Sequence, residues 1–167
     1  ANAGSPQTIT LPTNSITLNG TASTAPSGTI SSYSWTKISG PSSGTISTPS
    51  GATTTVNNLT EGTYQFQLTI TDNNGKTASA AVSIVVKPAP LPPVANAGNP
   101  QTITLPANSV TLNGSASTAP SGTISSYQWT KSSGPSSGTI TSNTSAVTTV
   151  SGLTEGVYVF QLKVTDN

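Results

Sequence analysis

Residues 62–75, with the sequence GTYQFQLTITDNNG, decide the fold because they alternate apolar and polar side chains. The apolar side chains fall on every second position, at Tyr64, Phe66, Leu68 and Ile70. A period of two is typical of a β-strand with one face buried and one face in water. The Asp-Asn-Asn-Gly that follows tolerates positive φ and predicts a hairpin turn. The same pattern returns in residues 156–167, so the chain uses this strand twice.

The composition of the 167-residue chain is unusual for a globular protein, with 32% hydrophobic residues, 5% charged residues and a net charge of +1. Both fractions lie below ordinary values, but alternating β-branched residues argue against disorder. So small a net charge offers no electrostatic footprint for nucleic acid, and we expect no nucleic-acid partner. There is no cysteine, so no disulfide framework indicates the compartment.

No stretch of the sequence predicts membrane insertion. The longest apolar run, residues 80–86, is interrupted by Ser83 and is far too short to cross a bilayer. No charged-then-apolar leader opens the sequence, so we expect any secretion signal to have been removed or to lie outside this piece.

The chain is a tandem repeat. Residues 95–98, ANAG, repeat residues 1–4 and set a period of 94 residues. Roughly three-quarters of the aligned positions are identical, and a period of this length indicates a whole domain in tandem. In the first copy, strands are predicted at residues 8–11, 15–19, 29–37, around 46, and at 54–56, 62–71 and 77–87. Seven short strands with regular turns predict an all-β, antiparallel sandwich.

The predicted domain boundaries follow from the repeat. They give a first domain at residues 1–87, a Pro-rich linker at residues 88–94 and a second domain at residues 95–167. The linker composition favours an extended, semi-rigid spacer. The second copy lacks a counterpart of the strand at residues 77–87, which leaves an open sheet edge. Two explanations stay open: the chain is a window cut from a longer run of repeats, or another chain donates the strand.

Three spaced motifs carry a family resemblance: residues 1–9 (ANAG followed by QTI), residues 32–41 (SYSW followed by SGP) and residues 62–75. They resemble the polycystic-kidney-disease (PKD) domain, and in particular its Ser-Gly-Pro subtype. The resemblance implies two immunoglobulin-like sandwiches, found outside the cell as linkers, stalks or accessory modules of bacterial surface proteins and secreted enzymes. Many relatives bind calcium through Asp residues, but Ser5, Asn99 and residues 23–28 supply no carboxylate here. We therefore expect no metal and no other cofactor.

The sequence does not predict an enzyme. It contains no His, Cys or Arg, and Glu61 and Asp72 are the only acids of the first copy, as Glu155 and Asp166 are of the second. Each pair brackets one strand and is separated by about 35 Å at roughly 3.3 Å per residue, whereas glycosidase carboxylates lie about 5–10 Å apart. We expect no catalytic residues.

The remaining candidates are residues that bind ligands in other proteins. Trp35 and Trp129 are interpreted as the core tryptophans of the sandwich, with sugar stacking as the alternative. Tyr64 and Tyr158 are interpreted as corner tyrosines whose hydroxyls bond the backbone. Four Asn-x-Ser/Thr triplets are acceptors in a eukaryotic secretory route, but the bacterial resemblance argues against their use: Asn19, Asn58, Asn113 and Asn143.

Lys37 and Lys131 lie on the same side of their strand as the tryptophans, which is unusual for a charged residue. We expect each side chain to pass the rim of the sheet with its ammonium group in water; the alternative is a Lys–Asn crosslink. Another minor alternative is ice or crystal binding through the Thr-Ile-Thr stretches at residues 8–10 and 69–71, although exposed Thr is ordinary in strands.

The leading functional prediction is a structural spacer of a large extracellular bacterial adhesin, stalk or filament. Its expected partners are neighbouring repeats and other copies in a filament, or a surface polysaccharide. The alternative is an accessory module of a secreted enzyme that binds a polysaccharide or a protein.

Overall fold

The computed structural model describes all residues from Ala1 to Asn167 and contains twelve β-strands and no helix. Contacts divide the chain into unit 1, Ala1–Ala89, and unit 2, Pro90–Asn167. The predicted all-β fold class is therefore confirmed.

Unit 1 has seven strands at the seven predicted places. They are β1 (Gln7–Thr10), β2 (Ile16–Asn19), β3 (Ile30–Ser39), β4 (Thr45–Ile46), β5 (Thr53–Asn57), β6 (Gly62–Asp72) and β7 (Thr77–Lys87). Two sheets form, with strand orders β1-β7-β6-β3 and β2-β5-β4. The hairpin between β6 and β7 closes as predicted: Asp72 Oδ1 accepts from the backbone N–H groups of Asn74 and Lys76, and Gly75 has a φ of 76°.

One strand pair of unit 1 departs from the predicted antiparallel pattern. β1 runs parallel to β7, from the pair Gln7–Ile84 to the pair Thr10–Lys87, while β6 is antiparallel to both β7 and β3. The sequence prediction was wrong here because alternation shows which face of a strand is buried but not the direction of its neighbour.

The core of unit 1 lies between its two sheets. The apolar face of β6 is completely covered: Tyr64, Phe66 and Leu68 have an exposed fraction of 0% and Ile70 of 4%. From β7, Val82, Ile84 and Val86 cover this side of the core. Full burial of one such side chain contributes about 1.5–3 kcal/mol, so β7 is a major source of the stability of unit 1.

Unit 2 has five strands: β8 (Val110–Asn113), β9 (Ile124–Ser133), β10 (Thr139–Ile140), β11 (Val147–Ser151) and β12 (Val159–Asp166). β12 pairs only with β9, so its other edge is free, as predicted from the missing last strand. Residues 101–104 have the same sequence as β1 but form no strand, contrary to what the repeat predicts. The reason is that β1 has β7 as its only partner and unit 2 holds no such strand.

The predicted linker at residues 88–94 is divided between the two units. The N–H of Leu91 donates to Ser121 Oγ at 2.7 Å, and Val94 and Thr118 exchange two backbone hydrogen bonds of 2.8 and 3.0 Å. The second half of this Pro-rich segment is therefore fixed to unit 2, whereas the sequence predicts a spacer that belongs to neither copy.

Candidate functional site

The two tryptophans lie in the core of their units. Trp35 is 2% exposed and Trp129 is 1% exposed. Each indole Nε1–H donates at 3.1 Å to a backbone carbonyl, that of Gly51 in unit 1 and that of Ser145 in unit 2. The core interpretation is confirmed, and neither ring offers a face for a sugar.

The two lysines beside these tryptophans are bound by backbone carbonyls. Lys37 Nζ donates to the carbonyl oxygens of Pro41, Ser42 and Ser43 at 2.7, 3.1 and 2.6 Å, and lies 5.9 Å from the centre of the Tyr64 ring. Three carbonyls use all three ammonium hydrogens, and charged donors make stronger bonds than neutral ones. The expectation of an ammonium group in water was wrong, because the Ser-Gly-Pro loop folds back over it.

The same arrangement is repeated in unit 2. Lys131 Nζ donates to the carbonyl oxygens of Pro135 at 2.7 Å and Ser137 at 2.8 Å, and lies 5.9 Å from the centre of the Tyr158 ring. No Asn side chain accepts from either lysine, so the hydrogen bonds give no support to a Lys–Asn crosslink. We call each set of lysine, loop carbonyls and tyrosine a lysine clamp.

Tyr64 completes the clamp of unit 1 as a corner tyrosine. Its hydroxyl accepts from the N–H of Thr60 and donates to the carbonyl of Thr60, both at 3.0 Å, and contacts Ser43 Oγ at 2.6 Å. Burial acts to raise the pKa of this hydroxyl, but the hydrogen bonds of Ser43 and Thr60 and the charge of Lys37 outweigh it and hold the pKa below its usual value. Tyr158 repeats these contacts with Ser137 and Thr154, and the pKa of its hydroxyl is lowered by the same balance.

The carboxylates are far apart along the strands. Glu61 directly precedes β6 and Asp72 ends it, so an eleven-residue strand separates them. Nowhere do three His, Cys, Asp or Glu side chains form a group that could hold a metal ion. The four glycan-acceptor asparagines are all exposed.

A groove of about 860 Å³ lies in unit 2 along the free edge of β12. One wall is formed by residues 97–105 and the other by residues 153–160, with Val110, Leu112 and Trp129 also lining it. By the repeat, the two walls correspond to the β1 and β6 regions of unit 1, between which β7 lies. We call this feature the β7 groove.

Two of these features were missed by the sequence reasoning. The carbonyl partners of Lys37 had a local signal, because the Ser-Gly-Pro-Ser-Ser turn begins two residues after it. The absence of a first strand in unit 2 had no local signal, because residues 101–104 and their β1 counterpart are identical in sequence.

Comparison with known proteins gives one matching family model. The model, described as "K319L-like, PKD domain", matches residues 3–86 and again residues 97–167. The structure therefore contains two copies of the matched domain, in agreement with the resemblance predicted from the motifs.

Two curated relatives align with almost the whole chain. The mouse "Dyslexia-associated protein KIAA0319-like protein" is 45% identical over 170 residues, which covers 99% of this chain and 16% of the relative. The human "Dyslexia-associated protein KIAA0319" is 41% identical over 170 residues, with the same coverage. The chain thus spans 16% of the length of these relatives. Both are vertebrate proteins, so the expectation of a bacterial source is not supported.

Among solved structures, the solution structure of the PKD domain from the KIAA 1837 protein is 30% identical, with a TM-score of 0.50. The match covers 61% of this chain and 91% of that domain. In this chain no helix is long and apolar enough to cross a membrane.

Proposed function

Because the chain belongs to the family of K319L-like PKD domains, we propose that it is a non-catalytic, extracellular spacer that carries tension between the neighbouring parts of a larger protein. Stalks, adhesins and filaments are the assemblies in which such a spacer works, and adjoining repeats are its partners. The tandem repeat and the low charge of the chain support this role. The burial of both tryptophans also supports this role, because their rings pack in the core and present no face to a ligand.

The single observation that carries the proposal is the parallel pairing of β1 and β7. The ladder runs from Gln7–Ile84 to Thr10–Lys87, and Leu11 N–H adds a 3.1 Å hydrogen bond to the carbonyl of Lys87. The chain enters unit 1 before Gln7 and leaves it after Lys87, at opposite ends of this ladder. Tension along the chain therefore pulls the two strands in opposite directions along their axes. All the hydrogen bonds of the ladder are loaded together, in shear, instead of one after another.

The surface composition fits an exposed position. The chain has five Lys and no Arg, and two of the five, Lys37 and Lys131, are held in the lysine clamps. Few sites are thus available to trypsin-like proteases, which cleave after these residue types. Ser, Thr and Gln occupy the solvent-facing sides of the strands, where they provide polar groups without adding charge.

Single-molecule force spectroscopy tests the proposal. The chain contains no cysteine, so cysteine handles are unambiguous. With handles at Ala1→Cys and Lys87→Cys, force loads the β1–β7 ladder in shear. With handles at Thr13→Cys and Lys87→Cys, both attachment points lie at the Thr10–Lys87 end of the ladder, and force peels it open.

We expect unit 1 to unfold at a clearly higher force through the first pair of handles, because forced unfolding reports the barrier along the loaded direction. Equal forces, or a lower force for the first pair, would contradict a tension-bearing role. A second test is retention on immobilised extracellular polysaccharides. The spacer role predicts no retention, and saturable retention would favour the accessory binding module instead.

A further inference from the structure

Asn-Gly dipeptides occur at three places in the chain: Asn19-Gly20, Asn74-Gly75 and Asn113-Gly114. Such a pair is chemically labile, because glycine has no side chain to hinder its backbone nitrogen, which can attack the side-chain amide carbon of the preceding asparagine. In a folded protein the reaction requires that these two groups are free to approach each other. The structure gives the three pairs different surroundings.

Both reacting groups are held in place at Asn19-Gly20. Asn19 Oδ1 accepts from the N–H of Thr21 at 2.9 Å and from Thr21 Oγ1 at 2.7 Å. The N–H of Gly20 donates to the carbonyl of Ala52 at 2.8 Å. Gly20 is buried, and a Cβ on it would lie 2.6 Å from a methyl carbon of Leu68. The attacking nitrogen is therefore engaged and has no room to turn.

Unit 2 repeats this protected arrangement at Asn113-Gly114. Asn113 Oδ1 accepts from the N–H of Ser115 at 3.0 Å and from Ser115 Oγ at 2.6 Å. The N–H of the buried Gly114 donates to the carbonyl of Ala146 at 2.7 Å. We therefore expect both of these pairs to be stable in the folded chain.

Asn74-Gly75 lies at the exposed tip of the hairpin between β6 and β7. The side chain of Asn74 makes one hydrogen bond, from Nδ2 to the carbonyl of Ser27 at 3.3 Å. The N–H of Gly75 donates to the carbonyl of Asp72 at 3.1 Å, within the turn itself. A Cβ on Gly75 would meet no atom within 4 Å, so the space around the nitrogen is open. Hydrogen bonds of exposed turns open readily, which leaves this pair free to react.

We propose that Asn74 is the site at which this chain deamidates and that the reaction loosens the β6–β7 hairpin. Hydroxide removes the proton of the Gly75 nitrogen, which attacks Cγ of Asn74. The bond from Cγ to the amide nitrogen breaks, and that nitrogen takes up a proton from water and leaves as ammonia. Water then opens the resulting cyclic succinimide to aspartate or isoaspartate. The proposal goes beyond the spacer role, because it assigns a modification site.

The consequence follows from the contacts of Asp72. Its Oδ1 accepts from the N–H of Asn74 at 2.9 Å and from the N–H of Lys76 at 2.8 Å. Either product adds a carboxylate to the turn that Asp72 already occupies, and isoaspartate also inserts a methylene into the main chain between those two N–H groups. One carboxylate oxygen then no longer spans both donors. The hairpin is weakened beside the pair Thr71–Thr77, where β7 begins.

The test follows deamidation of the full chain at mildly alkaline pH by peptide mass spectrometry, since each event replaces an NH₂ group with OH. Asn74 should convert at least about 10-fold faster than Asn19 and Asn113, because several hydrogen bonds must break at the other two sites. Its rate should rise with hydroxide concentration, and conversion at this position should be lost in Asn74→Gln, whose longer side chain must close a larger ring. No conversion at Asn74, or similar rates at all three sites in the folded chain, would overturn the proposal.

Concentrated urea supplies the matched control. The three sites should then convert at similar rates, because the dipeptides are the same and the fold no longer separates them. A preference for Asn74 that persists in urea would assign the selectivity to local sequence and would contradict the structural argument.

The effect on the hairpin is tested on the isoaspartate form, which ion exchange separates by its added negative charge. Its backbone hydrogen exchange at residues 77–79 should be faster than in the unmodified chain. Asn74→Asp adds the same charge without the extra methylene and should have a smaller effect. Unchanged exchange in the isoaspartate form would refute the loosening of the hairpin.

Discussion

The two units place nearly the same strand in two different environments. In unit 1, β6 lies between β3 and β7, and Tyr64 and Phe66 are completely buried. In unit 2, β12 lies beside β9 alone, and Tyr158 and Phe160 are half-buried although their sequence context is almost unchanged. The comparison shows that alternation makes the strand, whereas a neighbouring strand, β7 in unit 1, decides how well its apolar face is buried.

The lysine clamps differ much less between the units. Both lysines donate to the first and third carbonyls of their loops, and both stand 5.9 Å from the tyrosine ring. The lysine and its carbonyl partners are close together in sequence, the tyrosine comes from the strand region after them, and none of these residues belongs to β7. Contacts that do not involve β7 are therefore repeated in unit 2, whereas the strand pairing and the burial that β7 supplies in unit 1 are not.

The largest effect is expected for Ile84→Asp, which places a carboxylate at a position that is 0% exposed between β1 and β6. It should lower the free energy of unfolding of unit 1 by about 4 kcal/mol or more. Chemical denaturation should show a shifted transition for unit 1 and an unshifted one for unit 2. Ala81→Asp, three residues earlier on an exposed position of the same strand, is the control and should change little. A small effect of Ile84→Asp would mean that β7 does not hold the sandwich closed.

Phe66 and Phe160 occupy equivalent positions in the two units and can be truncated one at a time. Phe66→Ala should cost about 3–5 kcal/mol in unit 1 because it leaves a cavity, and Phe160→Ala should cost less than half as much in unit 2 because that ring is already partly in water. Trp35→Ala and Trp129→Ala, at equally buried positions, should cost similar amounts and serve as the reference pair. Equal costs for the two phenylalanines would show that the groove is closed in solution.

Removal of a clamp charge should have an intermediate effect. Lys37→Met leaves three carbonyls without their charged donor and should cost about 1.5–3 kcal/mol. It should also raise the pKa of Tyr64, because the positive charge no longer favours the phenolate. Thermal unfolding and a spectroscopic titration of tyrosine measure the two effects. Lys76→Met, at an exposed position, is the control, and an equal response of both variants would argue against the clamp.

Tyr64→Phe should have the smallest effect. It removes a hydroxyl that joins Thr60 and Ser43 but keeps the ring in the core. The loss should be about 1 kcal/mol, the usual net value of a hydrogen bond, and is measured as a shift of the denaturation midpoint of unit 1. A decrease in the free energy of unfolding as large as that caused by Phe66→Ala would show that the Tyr64 hydroxyl stabilises more of unit 1 than its contacts with Thr60 and Ser43.

Much of the fold was predictable because its signals are local. Period-two alternation located the strands of unit 1, and the repeat extended most of that assignment to unit 2. Trp35 and Tyr64 were assigned correctly because their position in the strand order indicates a core residue and a corner residue. These predictions needed no knowledge of which strand lies beside which.

The rest depends on contacts that the pattern does not encode. The parallel direction of β1 beside β7, the absence of a strand at residues 101–104 and the docking of Leu91 on unit 2 are all non-local. Lys37 was assigned to solvent because a charge on an inner face is normally placed at the rim. Its partners are carbonyls of a loop whose path the residue types alone did not specify.

Native-state hydrogen exchange of the two matched segments tests most directly whether β7 closes unit 1 while the sandwich of unit 2 stays open. We expect slow exchange at residues 64–68 and markedly faster exchange at residues 158–162 and 101–104 of the same molecule, because free strand edges open more readily. Equal, slow exchange in both segments would mean that unit 2 is as well closed as unit 1 and that β7 does not make the difference between them.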